Sequence, residues 1–128
     1  MATRPRSEKE KVTFPQRGEI YLVHFGPTVG HEIQKTRPAL IVQNDISNQY
    51  NPMTIVAAIS SQFGDPPFPR EVVVEPAESG LPKRSAVILN QIRSVDRQRL
   101  AKKLGRLSER EMLRVDEALK ISLGLVEV

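Results

Sequence analysis

The sequence predicts an α+β protein, mainly β, in which an antiparallel sheet or small barrel carries helices packed on it. Its 128 residues are enough for one hydrophobic core. Strand-like segments fill the first two thirds of the chain, and helical periodicity appears only near its end. Strands first and helices last are typical of an antiparallel sheet with helices added to it.

Five segments are predicted to be strands, because each is rich in β-branched or aromatic residues and ends at turn-forming residues. The third has an apolar run without a polar face, so we expect it to be central in the sheet. Pro38 lacks a backbone donor and should lie at the beginning of its strand or at a sheet edge. The five segments are 17–25, 37–44, 53–61, 70–76 and 85–95.

Helices are predicted from capping signals and from apolar spacing. Asp96 is suited to cap a short helix over 97–103 that ends at Gly105, and residues 45–52 favour a turn with one helical turn. Ser108 and Glu111 match a capping box for the final helix. Four apolar residues recur there at intervals of three or four and should pack on the sheet: Met112, Val115, Leu119 and Leu123.

Residues 1–16 mix proline and charged residues without hydrophobic periodicity, so we expect a flexible tail followed by one domain over 17–128. The N-terminal segment has no apolar core typical of a signal peptide. No apolar run approaches the roughly 20 residues that span a bilayer. We therefore expect a cytoplasmic protein without a membrane partner.

Positive charge is concentrated in one part of the chain. From Lys83 to Arg114, ten Lys or Arg residues accompany three acids, a net charge of +7. Since the whole chain carries +4, the remainder carries −3. Such a segment suits a polyanion such as RNA, because bound phosphates release their counterions. A solvated basic face explains the charge equally well.

The residue types present exclude several kinds of chemistry. The chain has no cysteine and two histidines, His24 and His31, which are too few for a conventional zinc cluster. We expect no metal site and no cofactor. Any catalysis must therefore use hydroxyl, carboxylate, imidazole or cationic side chains.

Five segments in order resemble the MazF/PemK toxin family over about residues 17–126. They are RGEIY (17–21), PTVGHE (27–32), RPALIVQND (37–45), TIVAAIS (54–60) and QIRSVDRQRL (91–100). The resemblance implies an SH3-like half-barrel of about five main strands, of the CcdB/MazF kind, in a homodimer. It also implies sequence-specific, metal-independent cleavage of single-stranded RNA (mRNA) to 2′,3′-cyclic phosphate and 5′-hydroxyl ends, and neutralisation by a MazE-like antitoxin.

By position, the resemblance assigns Arg37 as the catalytic arginine and Ser60 as the catalytic threonine or serine, with Glu32 beside them. A guanidinium group suits this role, because its fixed fork of donors can stabilise charge that develops on a phosphate. Ser60 would donate a hydroxyl hydrogen bond to the same phosphate. His31 is a hypothesis for a supporting role, since imidazole titrates near neutrality.

Base and phosphate contacts are predicted less directly. Phe63 and Phe68 could stack on unpaired bases, whereas Phe25 and Tyr50 are expected to be packed. Four further side chains could bind base edges or phosphates: Lys35, Gln62, Arg70 and Arg84.

Two other functions are compatible with such a fold. A CcdB-like inhibitor of gyrase would bind its target without catalysis, although it would need an aromatic C-terminal tail, and this chain ends in ISLGLVEV. An RNA-binding module would use Arg37 as a phosphate anchor without breaking a bond. Cleavage of RNA separates both from an enzyme.

Overall fold

A computed structural model of the protein describes residues 14–26 and 36–127. This part of the chain forms one antiparallel sheet of six strands in the order β4-β5-β3-β2-β1-β6. The α+β, mainly β fold class and the central position of the third strand are confirmed, with six strands rather than five. The strands are β1 (Glu19–His24), β2 (Thr36–Ile41), β3 (Met53–Ser60), β4 (Glu71–Val74), β5 (Ser85–Asp96) and β6 (Leu100–Arg106).

The described helices are α1 (Asp45–Tyr50), α2 (Pro76–Ser79) and α3 (Glu109–Ser122). The capping box of α3 is confirmed, because the Ser108 hydroxyl accepts from the Glu111 N–H and the Glu111 carboxylate accepts from the Ser108 N–H. Val115 is fully buried against the sheet, as its spacing predicts. The prediction for Leu123 is wrong: it lies beyond α3 and is 53% exposed, since the helix ends before it.

The predicted helix over 97–103 is wrong. Asp96 caps only a 3₁₀ turn, Arg97–Arg99, by accepting a hydrogen bond from the Gln98 N–H, and the chain continues as β6. This strand pairs with the side of β1 that β2 leaves free, and Lys103 of β6 lies opposite Tyr21 of β1. Strand pairing therefore overrides the helical propensity of the lysine-rich sequence. An ion pair of 2.7 Å from Lys103 to the buried Glu19 carboxylate adds to the pairing.

The two faces of the sheet carry separate hydrophobic clusters. The main core lies on the face covered by α3 and includes Leu40, Ala57 and Leu89. The opposite face carries a smaller cluster of Val23, Ala39, Ile41, Val56 and Val95. Side chains alternate between the two faces along a strand. Arg37, two residues before Ala39, and Ser60, two residues after Ala58, therefore project from this second face.

The segment before β1 and the turn after α2 both contact the sheet. Pro15 is buried, and the Gln16 N–H donates to the Glu19 carboxylate at 2.8 Å. The rest of the predicted tail, 1–13, lies outside the described residues. Gly80 ends α2 with φ +75°, and a Cβ there would overlap the Leu104 carbonyl oxygen. None of the helices in the described ranges is long and apolar enough to cross a membrane.

Candidate functional site

The pairing of β2 with β3 brings Arg37 close to Ser60. Ala39 pairs with Ala58, so continuing this register by two residues on each strand sets Arg37 across from Ser60. The β2–β3 ladder begins at Ala39, directly after Pro38, whose missing donor therefore lies at the beginning of the ladder. Both side chains are on the face opposite α3, where the sheet opens into a cleft.

A cleft of about 450 Å³, here called the central cleft, contains four of the predicted site residues. It is lined by Arg37, Ser60, Gln62 and Arg70. An adjoining cavity of about 340 Å³ shares Arg37, Ser60 and Gln62 and adds Lys83. The cleft and the adjoining cavity thus lie where the beginning of β2, the end of β3, the β3–β4 loop and the turn before β5 meet.

Two guanidinium groups give the central cleft its charge. Arg37 is exposed, and no residue in the described ranges forms an ion pair with it. Arg70 lies 4.5 Å from the Phe68 ring centroid, and its buried Nε has no hydrogen-bond partner among the described residues. Arg70 also lines the central cleft, so its positive charge would stabilise an anion bound there.

The Ser60 hydroxyl is held by the chain that follows it. It donates to the Gln62 carbonyl oxygen and accepts from the Gln62 N–H. The Ser60 Oγ atom is 3.1 Å from the Gln62 oxygen and 3.1 Å from the Gln62 nitrogen. This local loop fixes the hydroxyl at the rim of the cleft. Rotation about the Cβ–Oγ bond would let the Ser60 hydroxyl donate to a ligand oxygen instead of the Gln62 carbonyl.

Three of the predicted RNA-contacting residues lie outside the lining of the central cleft. Phe68 is 53% exposed beside Arg70 and offers an aromatic surface at the cleft edge. Phe63 is half-buried, with the Arg84 guanidinium 5.7 Å from its ring centroid. Arg84 also forms a 3.0 Å exposed ion pair with Glu75.

The predicted residues Glu32, His31 and Lys35 lie outside the described residues. The structure therefore tests neither their positions nor their roles. Within the described ranges, Glu71 is the acidic residue that lines the central cleft. Its carboxylate accepts from the Phe68 N–H at 2.9 Å, so it shapes the β3–β4 loop.

Asn90 and Gln91 line the central cleft but were not among the predicted site residues. They occupy an irregularity in β5, where Ala57 pairs with Ile92 but the next residue, Ala58, pairs with Ile88. The bulge leaves both amides exposed and faces them toward the site. The sequence held a signal for them, since these two polar residues directly follow the apolar run 86–89.

A smaller pocket of about 320 Å³, here called the side pocket, adjoins the central cleft. Arg37, Ala58 and Gln91 line both cavities. The side pocket adds four residues that no predicted site contained: Phe25, Val56, Ile92 and Arg93.

A larger cavity of about 710 Å³ lies at the other end of β3, beside Tyr50 and Pro52. Tyr50 is 78% exposed, so the expectation that it is packed is wrong. Tyr21 also lines this cavity and donates to the Glu19 carboxylate at 3.1 Å. Burial, together with the charge of Glu19 and this hydrogen bond, raises the pKa of the Tyr21 hydroxyl to about 12.

Fold and site together define a class of protein: a small antiparallel β protein with a cleft lined by arginine and amide side chains that can bind an anion. The model of the PemK-like, MazF-like toxins of type II toxin-antitoxin systems matches residues 16–123. This match covers most of the chain, which therefore belongs to the PemK-like, MazF-like toxin family.

Named relatives agree with the family. Endoribonuclease EndoA of Bacillus subtilis (strain 168) is 41% identical over 112 residues, 88% of this chain and 97% of EndoA. Endoribonuclease MazF of Staphylococcus epidermidis is 44% identical over 110 residues, which cover 86% of this chain and 92% of that protein. A MazE-MazF crystal structure from Deinococcus radiodurans has a similar chain, with TM-score 0.74 and 26% identity, covering 90% of this chain and all of that one.

Proposed function

We propose that this toxin is an endoribonuclease that cleaves single-stranded mRNA at selected sites in the central cleft, without a metal ion. The observation that carries the proposal is the convergence of Arg37, Ser60 and Arg70 on one cleft of the described structure. The two relatives above are named endoribonucleases, which supports the same activity.

In the proposed reaction, the 2′-oxygen of the RNA attacks the adjacent phosphorus. The new P–O2′ bond forms as the P–O5′ bond breaks, giving a 2′,3′-cyclic phosphate on one product. The 2′-hydroxyl proton goes to a base, and the departing 5′-oxygen takes up a proton to become a hydroxyl. Negative charge grows on the non-bridging oxygens, and a positioned cation stabilises it.

Arg37 supplies that cation, because it is exposed at the beginning of β2 and its guanidinium has a planar fork of donors. Arg70 contributes a second guanidinium that lines the same cleft. The Ser60 hydroxyl releases the Gln62 carbonyl and donates to the same phosphate. The proton acceptor is assigned to Glu32 or His31, which precede β2 in the sequence.

The strand of RNA crosses the cleft between groups that bind its bases and its phosphates. Phe68, with Arg70 against its ring, forms a stacking platform for an unpaired base at one edge. Gln62 and the bulge amides Asn90 and Gln91 can donate to and accept from base edges. Lys83 and Arg84, with Lys35, bind the flanking phosphates.

The protein is also proposed to act in the cytoplasm as a homodimer that a MazE-like antitoxin neutralises. The Deinococcus structure is a MazE-MazF complex, which supports a partner of this kind. An acidic or amphipathic antitoxin tail would compete with RNA for Arg37, Arg70 and Lys83, since both ligands are anionic. Bound antitoxin should therefore block cleavage directly.

The test is cleavage of a single-stranded RNA pool by purified protein in excess EDTA, with mapping of 5′-hydroxyl ends. We expect EDTA-resistant cuts at one short motif, and none when the cut nucleotide carries a 2′-deoxy sugar. Arg37→Ala protein, with its fold verified by circular dichroism, is the matched control and should be nearly inactive. Binding without any cut would contradict the enzyme and leave an RNA-binding module.

A further inference from the structure

Arg37 belongs to a part of β2 that pairs with one neighbouring strand alone in the described structure. Its ladder partner is Val23 of β1, and Thr36 pairs with His24 in the same ladder. The pairing of β2 with β3 begins two residues later, at Ala39. The position of the Arg37 backbone therefore depends on how firmly the end of β1 is held.

The end of β1 is held by Arg99, which comes from the 3₁₀ turn before β6. The Arg99 guanidinium donates from Nη1 to the His24 carbonyl oxygen at 3.2 Å. The same group lies against the Gly26 backbone, since a Cβ at Gly26 would be 2.6 Å from Nη1 and 3.2 Å from Cζ of Arg99. Gly26 has φ +95°, a left-handed value that glycine adopts readily. Arg99 therefore contacts the chain at two points where it leaves β1.

A side-chain hydrogen bond connects the end of β1 to the beginning of β2. The His24 Nδ1 atom lies 2.8 Å from the Thr36 hydroxyl oxygen, across the ladder pair that the two residues form. Because side chains alternate along a strand, this bond lies on the face opposite to Val23 and Arg37. The contacts from Arg99 to His24 and from His24 to Thr36 are here called the β1 clamp. The β1 clamp thus lies behind Arg37, on the other side of the sheet.

We propose that Arg99 and His24 are positioning residues for the proposed catalytic arginine, because the β1 clamp fixes the strand that presents the Arg37 guanidinium to the phosphate. The proposal rests on the proposed endoribonuclease function. Both residues are described by the structure, and neither lines the central cleft. They act through Arg37, since a misplacement of about 1 Å at a reacting group can cost about a hundredfold in rate.

The first experiment asks whether Arg99 acts through Arg37. Arg99→Ala should lower the single-turnover cleavage rate by about tenfold to a hundredfold, because Arg37 is no longer held in place. In Arg37→Ala protein the same substitution should have little further effect, since the residue that Arg99 positions is already gone. Arg99→Lys keeps a charged donor for the His24 carbonyl and should recover part of the rate.

The matched control is Arg114→Ala. Arg114 lies on α3 and donates to the Val73 carbonyl oxygen of β4 at 3.4 Å, so its loss also removes an arginine from a strand carbonyl. Arg114 does not line the central cleft or the two cavities that adjoin it. Cleavage by this protein should stay close to wild type. Urea unfolding of both alanine proteins verifies that each is folded at the assay temperature.

The second experiment tests the bond between His24 and Thr36. His24→Leu and Thr36→Val each remove one partner and should each lower the rate by about threefold to tenfold, the range for one neutral hydrogen bond. Together they should lower it no more than either alone, because both remove the same bond. His24→Asn should recover most of the rate, since the asparagine amide places a polar atom at the position of Nδ1.

The third experiment does not depend on cleavage. NMR relaxation of the free protein gives the order parameter of the Arg37 backbone amide. This order parameter should fall in Arg99→Ala and His24→Leu proteins and should keep its wild-type value in Arg114→Ala protein. An unchanged order parameter in all three would overturn the β1 clamp, whether or not RNA is cut.

The outcomes separate the β1 clamp from the function. If Arg99→Ala lowers the rate by the same factor in wild-type and Arg37→Ala protein, the positioning role is overturned while the endoribonuclease stands. If wild-type protein cuts no RNA, the proposed function is overturned. The order parameter of Arg37 then decides by itself whether Arg99 and His24 hold that residue in place.

Discussion

The Ser60 hydroxyl donates a hydrogen bond to the Gln62 carbonyl oxygen and accepts one from the Gln62 N–H, both at 3.1 Å. A hydroxyl at the proposed catalytic position is thus held by its own chain before substrate arrives. On binding RNA, the hydroxyl would exchange its bond to the neutral Gln62 carbonyl for one to a charged phosphate oxygen. The net gain from one such exchange is modest, so Ser60 should matter less than Arg37.

Ser60→Ala should lower the single-turnover cleavage rate by about tenfold, or about 1.4 kcal/mol, because the hydroxyl's bond to the phosphate replaces the one it already makes to the Gln62 carbonyl. Ser60→Thr keeps the hydroxyl and should retain most of the rate. Both proteins should bind the uncleavable 2′-deoxy RNA like wild type. Equal losses in the alanine and threonine proteins would argue against a role for the hydroxyl.

Arg37→Ala should lower the cleavage rate by about 10² to 10³, as expected when a donor that stabilises a developing anion is lost. Arg37→Lys keeps the charge but loses the planar fork, so we expect an intermediate rate. The measurement is single-turnover cleavage at saturating protein. Near-normal turnover by the alanine protein would refute the assignment of Arg37.

The proton acceptor can be assigned from pH–rate profiles of Glu32→Gln and His31→Ala proteins from about pH 5 to about pH 9. A base loses activity when it becomes protonated, so wild-type cleavage should decline on the acidic side. The substitution that removes the acceptor should lower the rate and abolish this decline. An unchanged profile in both proteins would place the acceptor elsewhere.

Gly80→Ala should destabilise the protein by about 3 kcal/mol or more, because a left-handed φ of +75° is combined with overlap on the Leu104 carbonyl. Gly124→Ala is the matched control, since Gly124 has φ +72° but an added Cβ would meet no described atom within 4 Å. It should cost about 1–2 kcal/mol from the backbone alone. Urea unfolding measures both, and equal losses would show that the contact with β6 is unimportant.

Tyr21 should make stability depend on alkaline pH. The pKa of its hydroxyl is about 12 in the folded protein and about 10 when unfolded. Below pH 10 the Tyr21 hydroxyl is protonated in both the folded and the unfolded state, so its contribution to stability does not change with pH. As the pH rises from 10 towards 12, the unfolded state loses this proton first, and the free energy of unfolding falls. The free energy of unfolding of Tyr21→Phe, relative to wild type, should therefore rise over this range, whereas Tyr50→Phe should follow wild type.

Local patterns in the sequence predicted most of the fold. Alternating and apolar runs located five strands, and Ser108 with Glu111 fixed the beginning of α3. The sixth strand could not be predicted from its own residues, because exposed lysines such as Lys102 and Lys103 favour helix at least as well. Its strand conformation comes from the free side of β1, which no local pattern reveals.

The candidate site was predicted only in part, and from a family resemblance instead of from local sequence patterns. Arg37 and Ser60 followed from resemblance, and the β2–β3 register then brings them to one cleft. Asn90, Gln91 and Phe25 were missed as site residues, because their positions depend on a bulge and on packing between strands. Such tertiary relationships leave only weak traces in one sequence.

The bulge in β5 also separates residues that hold the sheet together from residues that line the central cleft. Ladder pairs such as Ala57 with Ile92 and Ala58 with Ile88 continue on either side of Asn90 and Gln91, so the sheet does not depend on those two side chains. Substitution of either residue should therefore cost little folding stability while it changes the lining of the central cleft. If the proposed function holds, substitutions at these two adjacent positions would change which RNA sequences bind, while the proposed catalytic residues Arg37 and Ser60 stay in place.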